Sequence, residues 1–235
     1  MPPEAEVNRQ PSSSDIQALF DRIAPVYDRL NDRLSFGLHR VWKLMAVKWC
    51  EPQAGDVALD LCCGSGDLAL LLAQRVGKTG KVVGVDFSPE QLAIASQRTA
   101  AIDWIVADAL SLPFAENFFD CATMGYGLRN VTDIPRCLQE LRRVLKPGAT
   151  AAILDFHRPS QPLMQAFQQW YLQNLVVPTA QSFGLTQEYA YIAPSLERFP
   201  TSKEQVKLAC QTGFESATHY KIAGGIMGVL VLTNA

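Results

Sequence analysis

The run Ala58-Leu59-Asp60-Leu61-Cys62-Cys63-Gly64-Ser65-Gly66-Asp67-Leu68-Ala69 constrains the fold more than any other part of this chain. A short apolar stretch, a glycine turn and the start of a second apolar stretch predict a buried strand that runs through a tight turn into a helix. Val82-Val83-Gly84-Val85-Asp86, Trp104-Ile105-Val106-Ala107-Asp108-Ala109 and Phe119-Asp120-Cys121-Ala122-Thr123-Met124-Gly125 follow at intervals suited to alternating strands and helices. Such alternation points to a mostly parallel sheet with helices on both faces, the doubly wound α/β class.

The turn also points to a ligand. Without Cβ atoms, Gly64 and Gly66 let the backbone bend sharply and come close to a bound molecule. Asp86 ends an apolar strand about 20 residues past the turn, where a carboxylate accepts hydrogen bonds from both hydroxyls of a ribose. The competing reading makes Asp86 a cap for the helix that begins at Ser88-Pro89-Glu90. A dinucleotide fold would carry G-x-G-x-x-G, but the third glycine position is Ala69, and Asp67 puts a negative charge where a pyrophosphate would sit. Asp67 better suits a cationic ligand such as S-adenosylmethionine. Asp108 is read as the partner of an adenine amino group, with Ala109 and Leu110 beneath the ring. The expected cofactor contacts in these segments are Asp60, Gly64, Gly66, Asp86, Phe87, Asp108 and Ala109.

At 235 residues, 48% of them hydrophobic, the chain has the material for one sizeable core and one domain. A formal charge of −2 and the lack of a basic run disfavour a nucleic-acid partner. The six cysteines show no C-x-x-C pair or disulfide-like spacing, which indicates a reducing compartment. Cys62 and Cys63 lack further ligands at zinc spacing and are read as small packing residues. There is no apolar signal core and no apolar run of about 20 residues, so a cytoplasmic protein is expected.

Residues 1–14, rich in Pro and Ser, are read as a disordered tail, and residues 15–235 as one domain. Helical spacing from Ile16 to Leu30 and from Leu38 to Trp49 predicts a cover over residues 15–50. The core is predicted as strand 57–62, helix 67–75, strand 81–86, helix 89–100, strand 103–107, strand 118–124, helix 133–145 and strand 149–155. Residues 160–200 interrupt this rhythm with aromatics and are read as a substrate-covering insertion. A helix over 202–212 and two strands joined at Gly224-Gly225 close the chain as a hairpin.

Several segments carry a family resemblance: Phe20-Asp21-Arg22-Ile23-Ala24-Pro25-Val26-Tyr27-Asp28, Asn31-Asp32, Ser35-Phe36-Gly37-Leu38-His39-Arg40-Val41-Trp42-Lys43 and Gly127-Leu128-Arg129-Asn130-Val131-Thr132-Asp133. With them the sequence resembles the ubiquinone/menaquinone biosynthesis C-methyltransferase family over nearly its whole length. Glu188-Tyr189-Ala190-Tyr191, Arg198-Phe199-Pro200-Thr201 and Gly224-Gly225-Ile226-Met227-Gly228-Val229 are similar to the branch from oxygenic phototrophs. The resemblance implies the class I S-adenosylmethionine-dependent methyltransferase (Rossmann-like) fold, seven strands with the last antiparallel, and a prenylated naphthoquinol substrate, 2-phytyl-1,4-naphthoquinol. Demethylmenaquinol or a benzoquinol precursor is the alternative substrate. By matching position it implies cofactor contacts at Ser65, Asp86, Asp108, Ala109 and Gly125, where relatives often have serine.

Carbon methylation of a quinone ring needs the reduced ring with one hydroxyl ionised. A phenol of pKa about 10 must be stabilised as its anion by about 4 kcal/mol near pH 7, which a preorganised cation can supply. Arg129 follows the fourth strand at the sheet's carboxyl edge and is expected to stabilise that anion, with Asn130 orienting a hydroxyl and an Arg129 ion pair as the competing reading. Tyr27, Asp28, Asp32 and His39 are the candidate bases, with His157 ranked below them. A substrate that lives in a bilayer implies peripheral contact with an internal membrane, thylakoid or plasma. The contact is expected through the N-terminal helices or the aromatic insertion, with Phe20 and Trp42 as docking residues and Arg33, Arg40, Lys43 and Lys48 as cations. The chain alone leaves room for a homodimer, for a nicotinamide oxidoreductase on the same layered sheet, and for a non-catalytic cofactor-binding scaffold.

Overall fold

A computed structural model of the chain describes residues 12–235, apart from the side chains of Tyr27 and Asp28. The N-terminal segment forms α1 (Ser13–Ile23), a 3-10 turn (Ala24–Val26), α2 (Tyr27–Ser35) and α3 (Leu38–Cys50). Ser12 caps α1 in a capping box with Asp15, its hydroxyl accepting from the Asp15 amide while the Asp15 carboxylate accepts from the Ser12 amide. The helix thus starts inside the stretch read as a tail; residues 1–11 lie outside the described residues.

The core alternates β1 (Val57–Leu61), α4 (Asp67–Val76), β2 (Lys81–Asp86), α5 (Pro89–Arg98), β3 (Asp103–Val106), β4 (Phe119–Gly125), α6 (Ile134–Val144) and β5 (Leu145–Phe156). The insertion then comprises α7 (Pro162–Tyr171), a π turn (Leu172–Val176), α8 (Val177–Gln181), α9 (Thr186–Ala190) and α10 (Ile192–Arg198), and the chain ends with α11 (Ser202–Gln211), β6 (Ser216–Ile222) and β7 (Met227–Thr233). The strands lie in the order β3-β2-β1-β4-β5-β7-β6. The pairs β1–β2, β1–β4, β2–β3 and β4–β5 are parallel, while β7 runs antiparallel to both β5 and β6. This is the predicted seven-stranded sheet with its last strand antiparallel.

Strand period fixes the two cores. Leu59, Leu61, Ala122, Met124, Ala151 and Ile153 face one layer, with Leu138 and Leu141 of α6. Ala58, Cys121, Ala152 and Leu154 face the other, with Ala46 and Val47 of α3 and Leu72 of α4. A third cluster joins Ile23 and Leu30 of the cover to Leu172, Val176, Tyr189 and Leu196 of the insertion. The cover and the insertion therefore pack as one cap. The chain order reverses between β1 and β4, and open α/β sheets bind ligands at the carboxyl ends of the strands flanking such a reversal.

Two predicted boundaries differ. The Lys146-Pro147-Gly148 sequence was expected to separate helix from strand, yet β5 already begins at Leu145, opposite Phe119. Pro147 has no N–H for the ladder, and the register breaks there before resuming at Cys121 opposite Thr150. In the insertion, α7 and α8 run on through a π turn one turn ahead of Pro178. A proline ring clashes with the carbonyl four residues back, and the wider turn relieves that contact.

Candidate active site

A cavity enclosing about 950 Å³, its open mouth included, lies across the carboxyl ends of β1, β2 and β4. Its walls include Cys62 to Ser65 of the glycine turn, Asp86 and Phe87 after β2, Ala107 to Leu110 after β3, and Gly125 after β4. Ser13, Ile16 and Phe20 of α1 also line it.

The glycine turn is held from within. The Asp86 carboxylate accepts from the Gly64 amide at 2.8 Å and from the Ser88 amide at 3.0 Å. Asp86 thus ties the turn to β2, while capping of α5 is done by the Ser88 hydroxyl, which accepts from the Gln91 amide. Burial pushes the Asp86 carboxyl up, against the pull of these amides. Asp108 turns its carboxylate to the Leu110 amide at 2.9 Å and stands in the cavity wall with Ala109 and Leu110. Gln91, on the same wall, has a side-chain oxygen shielded from solvent without a partner. Sequence reading missed it, because a glutamine inside an amphipathic helix carries no motif.

Asp60 and Gly66 are not in this wall. Asp60 lies fully buried beneath it, accepting from the Ala69 amide at 2.8 Å and the Thr123 hydroxyl at 2.9 Å, and so pins the start of α4 to β4. Burial raises its carboxyl to about 7. At Gly66 (φ +89°) a Cβ would stand 2.5 Å from the Trp104 ring, so this glycine makes room for a side chain rather than for a ligand. A Cβ at Gly125 would meet Leu68 at 2.7 Å, so any side chain there requires Leu68 to move.

Asp67 lines the cavity but is no free anion. It bonds Lys43 Nζ at 2.6 Å and Arg98 Nη1 at 2.7 Å. Burial opposes its charge, but the two cations prevail and hold it at about 2. The exclusion of a pyrophosphate rests on other atoms. The Gly66 amide is bonded to Cys63 O and the Ala69 amide to Asp60, so the helix start keeps fewer amides for phosphate oxygens.

A second cavity lies between the cap and the sheet edge, lined by Leu19, Phe20, Ile23, Asn31, Tyr126, Arg129, Asn130, Phe156, Glu188, Tyr189, Tyr191 and Ile192. It shares Phe20, Tyr126 and Asn130 with the first. Tyr126 sits at this junction with left-handed backbone (φ +61°), which a bulky residue keeps only when its surroundings enforce it. The Asn130 amide donates to Tyr126 O at 2.8 Å, leaving its carbonyl oxygen without a partner. Arg129 is ion-paired to the fully buried Asp155, donates from Nε to Ser195 Oγ at 2.9 Å and lies over the Phe156 ring. Burial pushes the Asp155 carboxyl up, with Arg129 pulling the other way. The ion-pair reading of Arg129 is thus realised, although Arg129 also faces the second cavity.

The expected bases fare differently. His39 is buried against Ser35 Oγ at 2.7 Å and lies 3.6 Å from Asp32, and Asp32 also bonds Arg40 at 2.6 Å. Burial lowers the His39 imidazole, with Lys43 adding to the effect. Neither residue lines either cavity. The side chains of Tyr27 and Asp28 lie outside the described residues. His157 faces His219, Nε2 to Nε2 at 3.0 Å, in a separate polar recess. The carboxylate on the second cavity's wall is Glu188, held by Arg22 at 2.7 Å. It was quoted in a sequence motif but given no role, since nothing local tells which cavity a short helix will face.

The profile of the ubiE/COQ5 methyltransferase family matches residues 7–233. The chain belongs to that family. It is 63% identical over 227 residues to the 2-phytyl-1,4-naphtoquinone methyltransferase of Trichormus variabilis, covering 94% of this chain and 99% of that one. The chloroplastic 2-phytyl-1,4-beta-naphthoquinone methyltransferase of Arabidopsis thaliana is 52% identical over 227 residues, 93% of this chain and 87% of that one. A SAM-dependent methyltransferase from Thermotoga maritima superposes with a TM-score of 0.67 at 20% identity, over 94% of this chain and 100% of that one. One from Aquifex aeolicus gives 0.61 at 17%, over 82% and 89%. These two establish the fold, and the family makes the chain a methyltransferase with S-adenosylmethionine as its methyl donor.

The first cavity fits that donor. Asp86 and Asp108 offer acceptors for ribose and adenine groups, and apolar Phe87, Ala109 and Leu110 flank them. Lys43 and Asp67 stand on the same wall as an ion pair, beside the room left for the amino-acid tail.

Proposed function

We propose that this methyltransferase transfers a methyl group to a ring carbon of 2-phytyl-1,4-naphthoquinol. The observation that carries the reading is the meeting of two cavities at Phe20, Tyr126 and Asn130, one suited to the methyl donor and the other aromatic-walled and enclosing about 490 Å³, its open mouth included. The names of the most similar relatives, spanning nearly the same length, supply the naphthoquinone.

The donor supplies an electrophilic methyl group, and the residues supply the rest. Phe20, Tyr126 and Phe156 exclude water and stack the ring. Arg129 lends positive potential to the second cavity, but its charge is offset by Asp155, so it contributes less than the roughly 4 kcal/mol that an isolated guanidinium was asked for. Hydrogen bonds to the ring oxygens make up the difference. Glu188, on the wall of the second cavity, takes the hydroxyl proton, the role for which sequence reading offered Tyr27, Asp28, Asp32 and His39.

The reading includes contact with a membrane surface through the N-terminal helices and the insertion, but by other residues than Phe20 and Trp42. Phe20 lines the cavities and Trp42 packs into the core, while Lys43 is buried on Asp67. Seven of the exposed apolar residues lie on two neighbouring stretches: Phe36 of the α2–α3 turn with Leu38, Val41 and Leu44 of α3, and Leu163, Phe167 and Trp170 of α7. Tyr171 at the end of α7 bonds the Leu34 carbonyl of α2, which brings α7 and the α2–α3 turn together. No helix among the described residues is long and apolar enough to cross a membrane.

Incubation with methyl-deuterated S-adenosylmethionine and 2-phytyl-1,4-naphthoquinone, with and without a reductant, tests the reaction. Labelled product only under reduction is the expected result. No label in either state, with cofactor binding demonstrated, would remove this substrate.

A further inference from the structure

We propose that Asn31 of α2 binds one ring oxygen of the quinol, donating from its side-chain amide. The inference rests on the naphthoquinol reading above and gives a role to Asn31, which stands in one of the family segments but was assigned none from the sequence.

The wall of the second cavity is largely apolar, with Leu19, Phe20, Ile23, Phe156 and Ile192 on it. Its charged groups are engaged, Arg129 with Asp155 and Glu188 with Arg22. Asn31 Nδ2, a donor, and Asn130 Oδ1, an acceptor, belong to its lining residues and are shielded from solvent without a partner. Buried polar atoms are nearly always paired, because an unpaired one has given up its water for nothing. A donor and an acceptor left open on one apolar cavity are therefore matched to what fills it.

A 1,4-quinol with one hydroxyl ionised carries two oxygens on opposite sides of the ring, one an O–H donor and the other an oxyanion. That is the complement of Asn130 Oδ1 and Asn31 Nδ2. The oxidised quinone has two acceptors and no donor, so it would leave Asn130 unpaired. The two amides thus select the reduced ring, and an N–H aimed at the oxyanion stabilises the ionised form over the neutral one.

The test compares wild type with Asn31→Leu and Asn31→Asp in methyl transfer to reduced 2-phytyl-1,4-naphthoquinone and to two monohydroxy analogues, each lacking a different ring oxygen. Asn31→Leu is expected to lower kcat/KM for the quinol by about 10- to 100-fold. Asn31→Asp, which keeps the shape but replaces the donor with an acceptor, should lose at least as much. Against the analogue lacking the oxygen that Asn31 holds, variant and wild type should be equal. Adenosylhomocysteine affinity and the thermal midpoint should be unchanged in the variants. Variant kcat/KM within about twofold of wild type would overturn the inference, as would an equal loss on all three substrates. In either case an active wild type leaves the naphthoquinol reading standing. A wild type inert toward the quinol overturns that reading and this inference with it.

Discussion

Gly66 shows how one residue can serve a site without touching it. Its backbone is left-handed and its missing Cβ is filled by the Trp104 ring at 2.5 Å. Gly66→Ala therefore adds left-handed strain and overpacking together, at about 2–4 kcal/mol in a denaturant titration. Recovery of part of that loss by Trp104→Leu would place the cost in the ring contact, and no recovery would place it in the backbone. Glu188 acts at the same scale but on the chemistry. Glu188→Gln keeps the shape of the cavity wall and is expected to lower kcat about 100-fold or more while adenosylhomocysteine affinity holds. An unchanged kcat would take the proton-acceptor role away from Glu188. The two residues were not equally visible in the sequence. Gly66 stood out in its motif, although for a reason other than the one inferred, whereas Glu188 needed α9 to be set against the sheet edge before its carboxylate had a neighbour.

Among the elements, the cap couples donor, acceptor and surface. α1 contributes Ile16 and Phe20 to the cavities on its inner side, α2 contributes Asn31, and α3 and α7 carry the exposed Val41, Leu44, Leu163, Phe167 and Trp170. Phe167 stacks on both Trp170 and Tyr171, so the exposed aromatic face of α7 is continuous with the contact to α2. Replacing Phe36, Phe167 and Trp170 by serine removes large apolar area from that face, at about 25 cal/mol per Å² transferred into lipid. Co-sedimentation with anionic vesicles is expected to fall at least tenfold, with activity on a detergent-solubilised substrate retained. Equal vesicle binding by the triple variant would rule out this face. Sequence periodicity placed the start of α1 within three residues and α3 within one, but stopped five residues short of the end of α2 and gave α7 no bounds, and the docking residues chosen from it, Phe20 and Trp42, both turn inward. Amphipathic spacing shows that a helix has an apolar side, and packing decides which other apolar residues stay outside.

Over the whole molecule, two buried groups give stability opposite dependences on pH. Burial raises Asp60 from 3.8 to about 7. Its contribution is complete below 3.8 and is lost as pH rises toward 7, about 4 kcal/mol at 1.36 kcal/mol per pH unit. Burial lowers His157 from 6.5 to about 3, and His219 to about 4. The His157 contribution is complete above 6.5 and is lost as pH falls toward 3, by about 5 kcal/mol on the same scale. Between 3.8 and 6.5 the slopes oppose, and with two histidines against one aspartate the wild-type urea midpoint should rise modestly with pH. Asp60→Asn keeps the contact to Ala69, and its midpoint should fall as pH drops from 6.5 to 4. Replacing both histidines by Gln should give a midpoint that falls as pH rises over the same range. Parallel curves for all three proteins would remove both groups from the account.

The fold followed from the sequence because strand and helix periods are local properties: Leu59 and Leu61 alternate with Ala58 and Asp60 wherever the strand is placed. The strand ends that carry Asp86, Asp108 and Gly64 were legible for the same reason, since a strand–turn–helix succession leads to one edge of a parallel sheet. What the tertiary structure alone decided was the company each polar group keeps. Lys43 comes from α3 to neutralise Asp67, Asp155 from β5 to hold Arg129, and Arg22 from α1 to hold Glu188. His39 and Asp32, which the motifs offered as bases, turn to each other and to Ser35 and Arg40 instead. These pairings join residues distant in sequence. A charge is satisfied by whichever group lies within a few ångströms, and only the folded chain sets that distance.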